Sequence, residues 1–132
     1  MPYLLIGFAG ACGALLRYGL SLFFSSSGGG FPWITLFINC FGSLLLAWIN
    51  EGAGRFFNLS PQVKTAITSG FIGSFTTFST FSHETITLVT TGHIYQAILY
   101  VLMSLFGGLL FAWIGVKLAF FKPHFHQGEG DR

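Results

Sequence analysis

Four apolar runs, each about as long as a bilayer is thick, constrain this chain more than any other feature of its sequence. They lie at residues 2–24, 31–49, 63–91 and 94–121, and a helix needs about 20 apolar residues to cross the hydrocarbon core. Lipid offers no partner to unpaired backbone groups, so the spans should be helical. With only 8% charged residues, the chain cannot cover a water-facing surface. We predict an all-α membrane protein with four transmembrane helices.

The length of 132 residues indicates one domain, a membrane domain over 1–121 followed by a polar tail over 122–132. The formal net charge of +2 is small and scattered, which argues against a nucleic-acid partner. We expect a multi-pass protein of the cell (inner) membrane. Both termini of a four-span chain lie on one side, and the positive-inside rule favours the cytoplasm for it. That side carries Arg55, Lys64, Lys117 and Lys122.

The third run is longer than one span requires, and its middle has an unusual composition. Residues Gly73–Phe81 are GSFTTFSTF, with hydroxyl groups between aromatic rings. Glycine and adjacent β-branched threonines, here Thr76 and Thr77, weaken a helix, so we predict that the third helix is broken mid-membrane. Such a break frees backbone carbonyl groups, which can bind a cation or accept hydrogen bonds from hydroxyls.

Polar side chains within the apolar runs are candidate functional residues, because lipid makes them costly. Asn39 and Ser43 are four residues apart and share one face of the second helix. Asn39 could present amide donors to a ligand, or it could only hydrogen-bond a neighbouring helix. The other such positions are Arg17, Glu84, Ser104 and the hydroxyls of residues 73–80.

The chemistry of these groups favours an anion over a cation or a proton. Amide and hydroxyl protons and the electropositive edges of Phe rings all attract negative charge, and Phe78 and Phe81 lie on one helix face. Weak ligands also suit conduction, since a permeating ion must leave as readily as it enters. The alternative is that each ring merely packs and each hydroxyl bonds back to its own helix.

Two other functions fit a chain of this size. A small proton-coupled multidrug exporter would need a mid-membrane carboxylate, but Glu84 is the only acid in the four runs. A non-transporting membrane assembly subunit would need none of the candidate residues. No HExxH, Ser/Lys or paired-Asp arrangement occurs, so we do not expect an enzyme.

Three segments resemble the Fluc, or CrcB, family of fluoride channels. They are GACGALLRYGL (10–20), ITLFINCFGS (34–43) and GFIGSFTTFSTFSHET (70–85). The last segment is similar to the long family motif GxxGGxTTFSTFSxE, and the similarity extends over nearly the whole chain. Ile34 and Ser74 stand where the family usually has glycine.

The resemblance implies a passive, fluoride-selective ion channel that exports fluoride from the cytoplasm and so relieves fluoride toxicity. It implies an antiparallel, dual-topology homodimer with two pores in the lipid bilayer. Dual topology calls for a nearly neutral charge bias, whereas the count of loop cations favours one orientation. The expected partners are the fluoride ion, a second copy of the chain and lipid.

The resemblance also implies roles for individual residues. Phe78 and Phe81 would form an aromatic box around fluoride, and Asn39 would hydrogen-bond the ion. The backbone carbonyls of Gly73 and Thr76 would hold a structural Na⁺ at the dimer interface. Ser79 and Thr80 would continue a polar track, and Ser104 would be a pore-lining serine. Arg17 would shape an electropositive vestibule, and Glu84 would lie near the outer part of the pore.

Overall fold

A computed structural model describes residues 2–25, 30–56 and 59–121. Within these ranges the regular structure is helical throughout, as predicted, and contains no strand. The predicted tail, 122–132, lies outside the described residues. The elements are α1 (Pro2–Ser25), α2 (Trp33–Phe56), α3 (Pro61–Thr65), a π-helical segment (Ala66–Ile72), α4 (Gly73–Phe75), α5 (Phe78–Thr90) and α6 (Ile94–Phe120).

Three helices are long and apolar enough to cross a membrane, and they correspond to the first, second and fourth runs. They are α1, α2 and α6, within which the qualifying windows are Tyr3–Phe24, Trp33–Gly52 and Ile94–Phe120. The third run is divided instead among α3, the π-helical segment, α4 and α5. No single helix of that run therefore has the length of a span.

The first half of the third run is one continuous helical stretch, residues 61–75, because α3, the π-helical segment and α4 follow one another without a gap. Ser60 caps its start: the Ser60 Oγ accepts a hydrogen bond from the Val63 backbone N–H at 3.4 Å. Pro61 occupies the first turn, where its missing N–H costs nothing.

Glycines allow the close helix contacts on which the packing depends. A side chain at Gly13 of α1 would collide with the backbone carbonyl of Phe71, and one at Gly115 of α6 with that of Leu44. Thus α1 packs on the π-helical segment and α6 packs along α2. Gly7, by contrast, has open space around it.

The core lies where α2, α5 and α6 meet. Its buried residues are Leu36, Cys40, Leu88, Ala97 and Tyr100. By contrast, α1 contributes little to the interior: only 6% of its membrane-length window is buried, compared with 28% for α2. Helix α5, which begins just after the interruption of the third run, is thus fixed against the best-packed part of the molecule.

Candidate functional site

The interruption between α4 and α5 consists of two threonines in extended conformation. Thr76 has φ −73° and ψ 158°, and Thr77 has φ −148° and ψ 125°. The N–H and the Oγ1 of Thr76 both donate to the carbonyl of Ile72, at 2.9 and 3.0 Å. The Oγ1 of Thr77 accepts from the Thr80 N–H at 3.1 Å. Threonine hydroxyls therefore complete the end of one helix and cap the start of the next.

The interruption frees backbone carbonyl oxygens from their usual helical donors, and those of Gly73 and Thr76 are among them. In a continuous α-helix, Gly73 O would accept from the Thr77 N–H, and Thr76 O from the Thr80 N–H. Here Thr77 N–H donates to Asn39 Oδ1 at 2.8 Å, and Thr80 N–H donates to the Thr77 hydroxyl. Carbonyl oxygens are suitable ligands for a hard cation.

Asn39 of α2 holds the interruption through both atoms of its amide. Its Nδ2 donates to the Thr77 carbonyl at 2.9 Å, while its Oδ1 accepts from the Thr77 N–H. Asn39 therefore does form the interhelical hydrogen bonds that its sequence position allows. Because an amide nitrogen carries two protons, one N–H of Asn39 remains for another acceptor. The two interpretations of this residue are compatible.

A cavity of about 520 Å³ lies beside this Asn39–Thr77 pair. It is lined by α2, the interruption, α5 and α6, and no charged side chain lines it. Among the described residues, the Ser104 Oγ is buried without a hydrogen-bond partner, so no protein acceptor uses its hydroxyl proton. The lining residues are Asn39, Gly42, Ser43, Leu46, Thr76, Thr77, Phe78, Phe81, Val101, Ser104 and Leu105.

Two phenylalanine rings form the aromatic part of the cavity wall. The ring centroids of Phe78 and Phe81 are 5.9 Å apart, with an angle of 40° between the ring planes. Phe81 also contacts Tyr100 of α6, at 5.1 Å between centroids, and packs against the core. Phe78 is 79% exposed. One ring is thus held by its neighbours, and the other is largely open to its surroundings.

Glu84 lies about one turn beyond Phe81 on α5 and is not part of the cavity lining. Thr35 Oγ1 donates to Glu84 Oε1 at 2.8 Å, and the Tyr100 hydroxyl donates to Oε2 at 2.7 Å. Both carboxyl oxygens therefore have partners. Thr35 and Asn39, one turn apart on α2, bond to Glu84 and Thr77 respectively, so α2 and α5 run antiparallel at this contact.

The structure brings some of the predicted site residues together and leaves others apart. Asn39, Phe78, Phe81, Ser104 and Thr76 all line the cavity. The predicted residues outside the lining are Gly73, Ser79, Thr80, Arg17 and Glu84.

The predicted residues outside the cavity have well-defined positions. In the first turn of α5, the Thr77 hydroxyl donates to Thr80 Oγ1 at 3.1 Å and lies 3.3 Å from Ser79 Oγ. Arg17 Nε donates to the Ser74 carbonyl at 3.2 Å. Arg17 therefore satisfies a carbonyl at the end of the 61–75 helix, which is a favourable place for a cation.

Three residues near the site were given no role from the sequence: Thr35, Tyr100 and Gly42. Thr35 precedes Asn39 by four residues, and Tyr100 precedes Ser104 by four. That helical spacing places each on the same face as a predicted residue. The spacing is the feature of the sequence from which their position near the site could have been predicted. Gly42 lies in the segment 34–43 that carries the family resemblance, but a glycine in an apolar run is common in membrane helices and by itself indicates no role.

The sequence is similar to one known family over most of its length. Residues 4–116 match the model described as "CrcB-like protein, Camphor Resistance (CrcB)". A relative from Geobacillus kaustophilus, named "Fluoride-specific ion channel FluC 2", is 47% identical over 131 residues, covering 98% of this chain and 100% of the relative.

Two further relatives carry similar names. "Fluoride-specific ion channel FluC 1" from Desulfitobacterium hafniense is 51% identical over 109 residues, covering 81% of this chain and 93% of the relative. "Fluoride-specific ion channel FluC" from Thermus thermophilus is 45% identical over 121 residues, covering 88% of this chain and 91% of the relative. The match therefore extends over nearly the full length of all three relatives.

Proposed function

The chain belongs to the family of CrcB-like proteins, and on this premise we propose that it is a passive, fluoride-selective ion channel of the cell membrane. The observation that carries the proposal is the cavity beside Asn39, which offers hydrogen-bond donors and aromatic rings but no charged side chain. A small, hard anion gains more from such donors than a larger halide does. The names of the relatives support the same function.

The cavity supplies a set of weak ligands in place of water. The free hydroxyl of Ser104 and the second amide proton of Asn39 can each donate to an anion. The ring edges of Phe78 and Phe81 add a weaker electrostatic attraction. Because no cation lines the cavity, the ion is not trapped, and it can leave as readily as it enters.

Passive conduction requires no coupling group, and the position of Glu84 is consistent with that. Its carboxyl oxygens are both engaged, by Thr35 and by Tyr100, whereas a proton-coupled exporter would need an acid that faces its substrate. Neutral hydrogen fluoride crosses membranes and dissociates in a less acidic cytoplasm. An open anion pathway then lets the membrane potential expel fluoride, which would relieve its toxicity. Neither an exporter nor an enzyme is favoured by relatives named as ion channels.

We propose that the interrupted third run is the fourth span, with Thr76 and Thr77 at mid-membrane. Residues 61–90 would cover about 45 Å at the helical rise, enough to cross a bilayer with its interruption near the centre. The unpaired backbone is acceptable at that depth because the interruption faces a cavity and bonds to Asn39.

The functional unit in this proposal is an antiparallel, dual-topology homodimer. The low burial of α1 supports it, since 6% of its membrane-length window is buried within one subunit. A four-helix unit of this size also encloses little space by itself. The few loop cations that favour one orientation are then too weak a bias to fix the insertion.

We further propose a structural Na⁺ at the dimer interface, on the basis of two backbone carbonyl groups. Gly73 O and Thr76 O lack their helical donors, and a second subunit would bring the same pair. Oxygen donors of this kind match a hard cation. In this proposal the backbone of each subunit supplies the ligands. The positive charge of the bound ion would hold the interrupted segments of the two subunits together.

The remaining predicted residues have supporting roles in the proposed pathway. The hydroxyls of Ser79 and Thr80 would continue a polar track along α5, next to the Thr77 hydroxyl. Arg17 would make the approach to the pathway electropositive, with its Nε bonded to the Ser74 carbonyl. Glu84 would lie near the outer part of the pathway.

The decisive experiment compares fluoride with chloride efflux from liposomes that contain the purified protein. Valinomycin and a potassium gradient set the voltage, so that only electrogenic transport produces net efflux. We expect rapid, valinomycin-dependent fluoride efflux and no comparable chloride efflux. If verified, folded protein produced no fluoride efflux, the channel proposal would be overturned and the non-transporting assembly subunit would be favoured.

A further inference from the structure

Gly42 of α2 faces the interruption and has no room for a side chain. A Cβ atom at this position would collide with the Cγ2 methyl of Thr76 and would lie 3.8 Å from Phe75 Cδ1. Gly42 is buried, and both Gly42 and Thr76 line the cavity. The absent side chain of one residue therefore accommodates the methyl group of the other.

We propose that Gly42 is a positioning residue for anion conduction: the Thr76 methyl fits against it, and this fit fixes the extended backbone of Thr76 and Thr77 at the cavity wall. The inference rests on the proposed channel function. It assigns to Gly42 no contact with the ion, only control over the residues that do contact it.

The effect of Gly42 on the site follows from its spacing on α2. Asn39, three residues earlier and so on a neighbouring position of the same face, holds both backbone groups of Thr77. With a methyl group at residue 42, α2 and Thr76 must separate, or Thr76 must rotate its methyl away and lose the hydrogen bond from its Oγ1 to the Ile72 carbonyl. Separation lengthens the two hydrogen bonds at 2.8 and 2.9 Å that join Asn39 to Thr77, and rotation removes a bond that holds Thr76 at the interruption.

Gly42 differs from Gly13 and Gly115 in what it contacts. At Gly13 and Gly115 an added Cβ would meet a backbone carbonyl oxygen, of Phe71 and Leu44 respectively, so a substitution there separates whole helices. At Gly42 the obstacle is a single side-chain methyl. Its steric effect can therefore be removed by changing one other residue.

The test is a double-mutant cycle between residues 42 and 76. Gly42→Ala adds the colliding methyl, and Thr76→Ser removes its partner but keeps the hydroxyl that donates to Ile72. We expect Gly42→Ala to lower the initial fluoride efflux rate about tenfold or more, the size typical of overpacking a tight contact. In the Thr76→Ser background the same substitution should lower the rate less than about threefold.

A second readout follows the backbone and needs no transport. Hydrogen exchange of the Thr77 amide, which donates to Asn39, should accelerate about tenfold in Gly42→Ala and return toward the background rate with Thr76→Ser. Gly108→Ala is the matched control, because its added Cβ would make only an ordinary contact with Ser43 Oγ at 3.8 Å. It should change neither readout.

The outcomes separate this inference from the channel proposal. Wild-type silence in the efflux assay would refute the channel, while the exchange cycle would still test the contact. If the wild-type protein conducts and Gly42→Ala matches it, the positioning role is wrong. It is also wrong if the loss is equally large in both backgrounds, since Gly42→Ala would then act through general destabilisation.

Discussion

Helix α5 is hydrogen-bonded to α2 at two places, and the two connections use different kinds of partner. At the start of α5, the Asn39 side chain bonds the backbone N–H and C=O of Thr77. Further along, the Thr35 hydroxyl bonds the side chain of Glu84, which also accepts from Tyr100. The first connection therefore fixes the path of the main chain, and the second fixes only the orientation of side chains.

This difference predicts unequal tolerance to substitution. Side chains can change rotamer and find a water molecule or another hydroxyl, at a cost of about 1 kcal/mol. A backbone held in extended conformation between two helices has no comparable freedom, because its N–H and C=O point in fixed directions. We therefore expect the Asn39–Thr77 connection to dominate conduction and the Glu84 connection to contribute mainly to stability.

The largest expected effect is that of Asn39→Asp. An aspartate places an oxygen opposite the Thr77 carbonyl, where Asn39 Nδ2 donates, so two acceptors face each other and a negative charge adjoins the cavity. Leaving buried groups unpaired costs about 1–3 kcal/mol and more with a charge, so fluoride efflux should fall about a hundredfold or more. The rate of fluoride efflux from liposomes that contain the variant measures this loss.

The matched control for this substitution is Asn50→Asp, on the same helix but exposed, which should leave the efflux rate unchanged. Wild-type efflux in the Asn39→Asp protein would contradict the importance of the backbone connection. Asn39 would then be only one of several contacts between α2 and α5.

Phe81→Ile should have the second largest effect, because Phe81 lies between the two connections. Its ring contacts Phe78 in the cavity and Tyr100 beside Glu84. Isoleucine keeps the apolar contact but has no electropositive ring edge, a difference of about 0.5–1.5 kcal/mol. The fluoride efflux rate should therefore fall about tenfold. Size-exclusion chromatography should show an unchanged oligomer.

Phe23→Ile serves as the control for this loss, since Phe23 is 79% exposed on α1 and does not line the cavity. Equal fluoride efflux rates for the Phe81→Ile and wild-type proteins would show that the Phe81 ring does not contribute to the pathway. Equal loss in both phenylalanine variants would mean that the effect is not specific to the cavity.

The two connections also differ in how far the sequence could predict them. Asn39 and Glu84 were both identifiable, because a polar side chain in an apolar run is costly and therefore conspicuous. The helical spans and the Ser60 cap were predictable for related reasons, from hydropathy and local capping chemistry. Such features depend on residues close together in sequence.

The partners of those residues were not predictable. Thr77 contributes backbone atoms to Asn39, and a backbone group leaves no mark on residue type. Thr35 and Tyr100 are ordinary residues whose role depends on how α2, α5 and α6 pack. The fit between Gly42 and Thr76 likewise depends on a distance between two helices, which no local pattern encodes.

Thr35→Val should have the smallest effect of the three and so tests the other side of the comparison. Valine has nearly the shape of threonine but cannot donate to Glu84 Oε1. Losing one hydrogen bond to a carboxyl group costs about 1.5–3 kcal/mol, so the unfolding midpoint of the purified protein should fall by several degrees. Fluoride efflux should fall less than about threefold, because Thr35 does not line the cavity.

Thr87→Val is the matched control for the Thr35 substitution, because the Thr87 hydroxyl is exposed and bonds only to the His83 carbonyl of its own helix. It should leave both the unfolding midpoint and the efflux rate unchanged. If Thr35→Val abolished efflux as completely as Asn39→Asp while stability stayed the same, the ranking would be reversed. The Glu84 cluster, rather than the Thr77 backbone, would then control the passage of the ion.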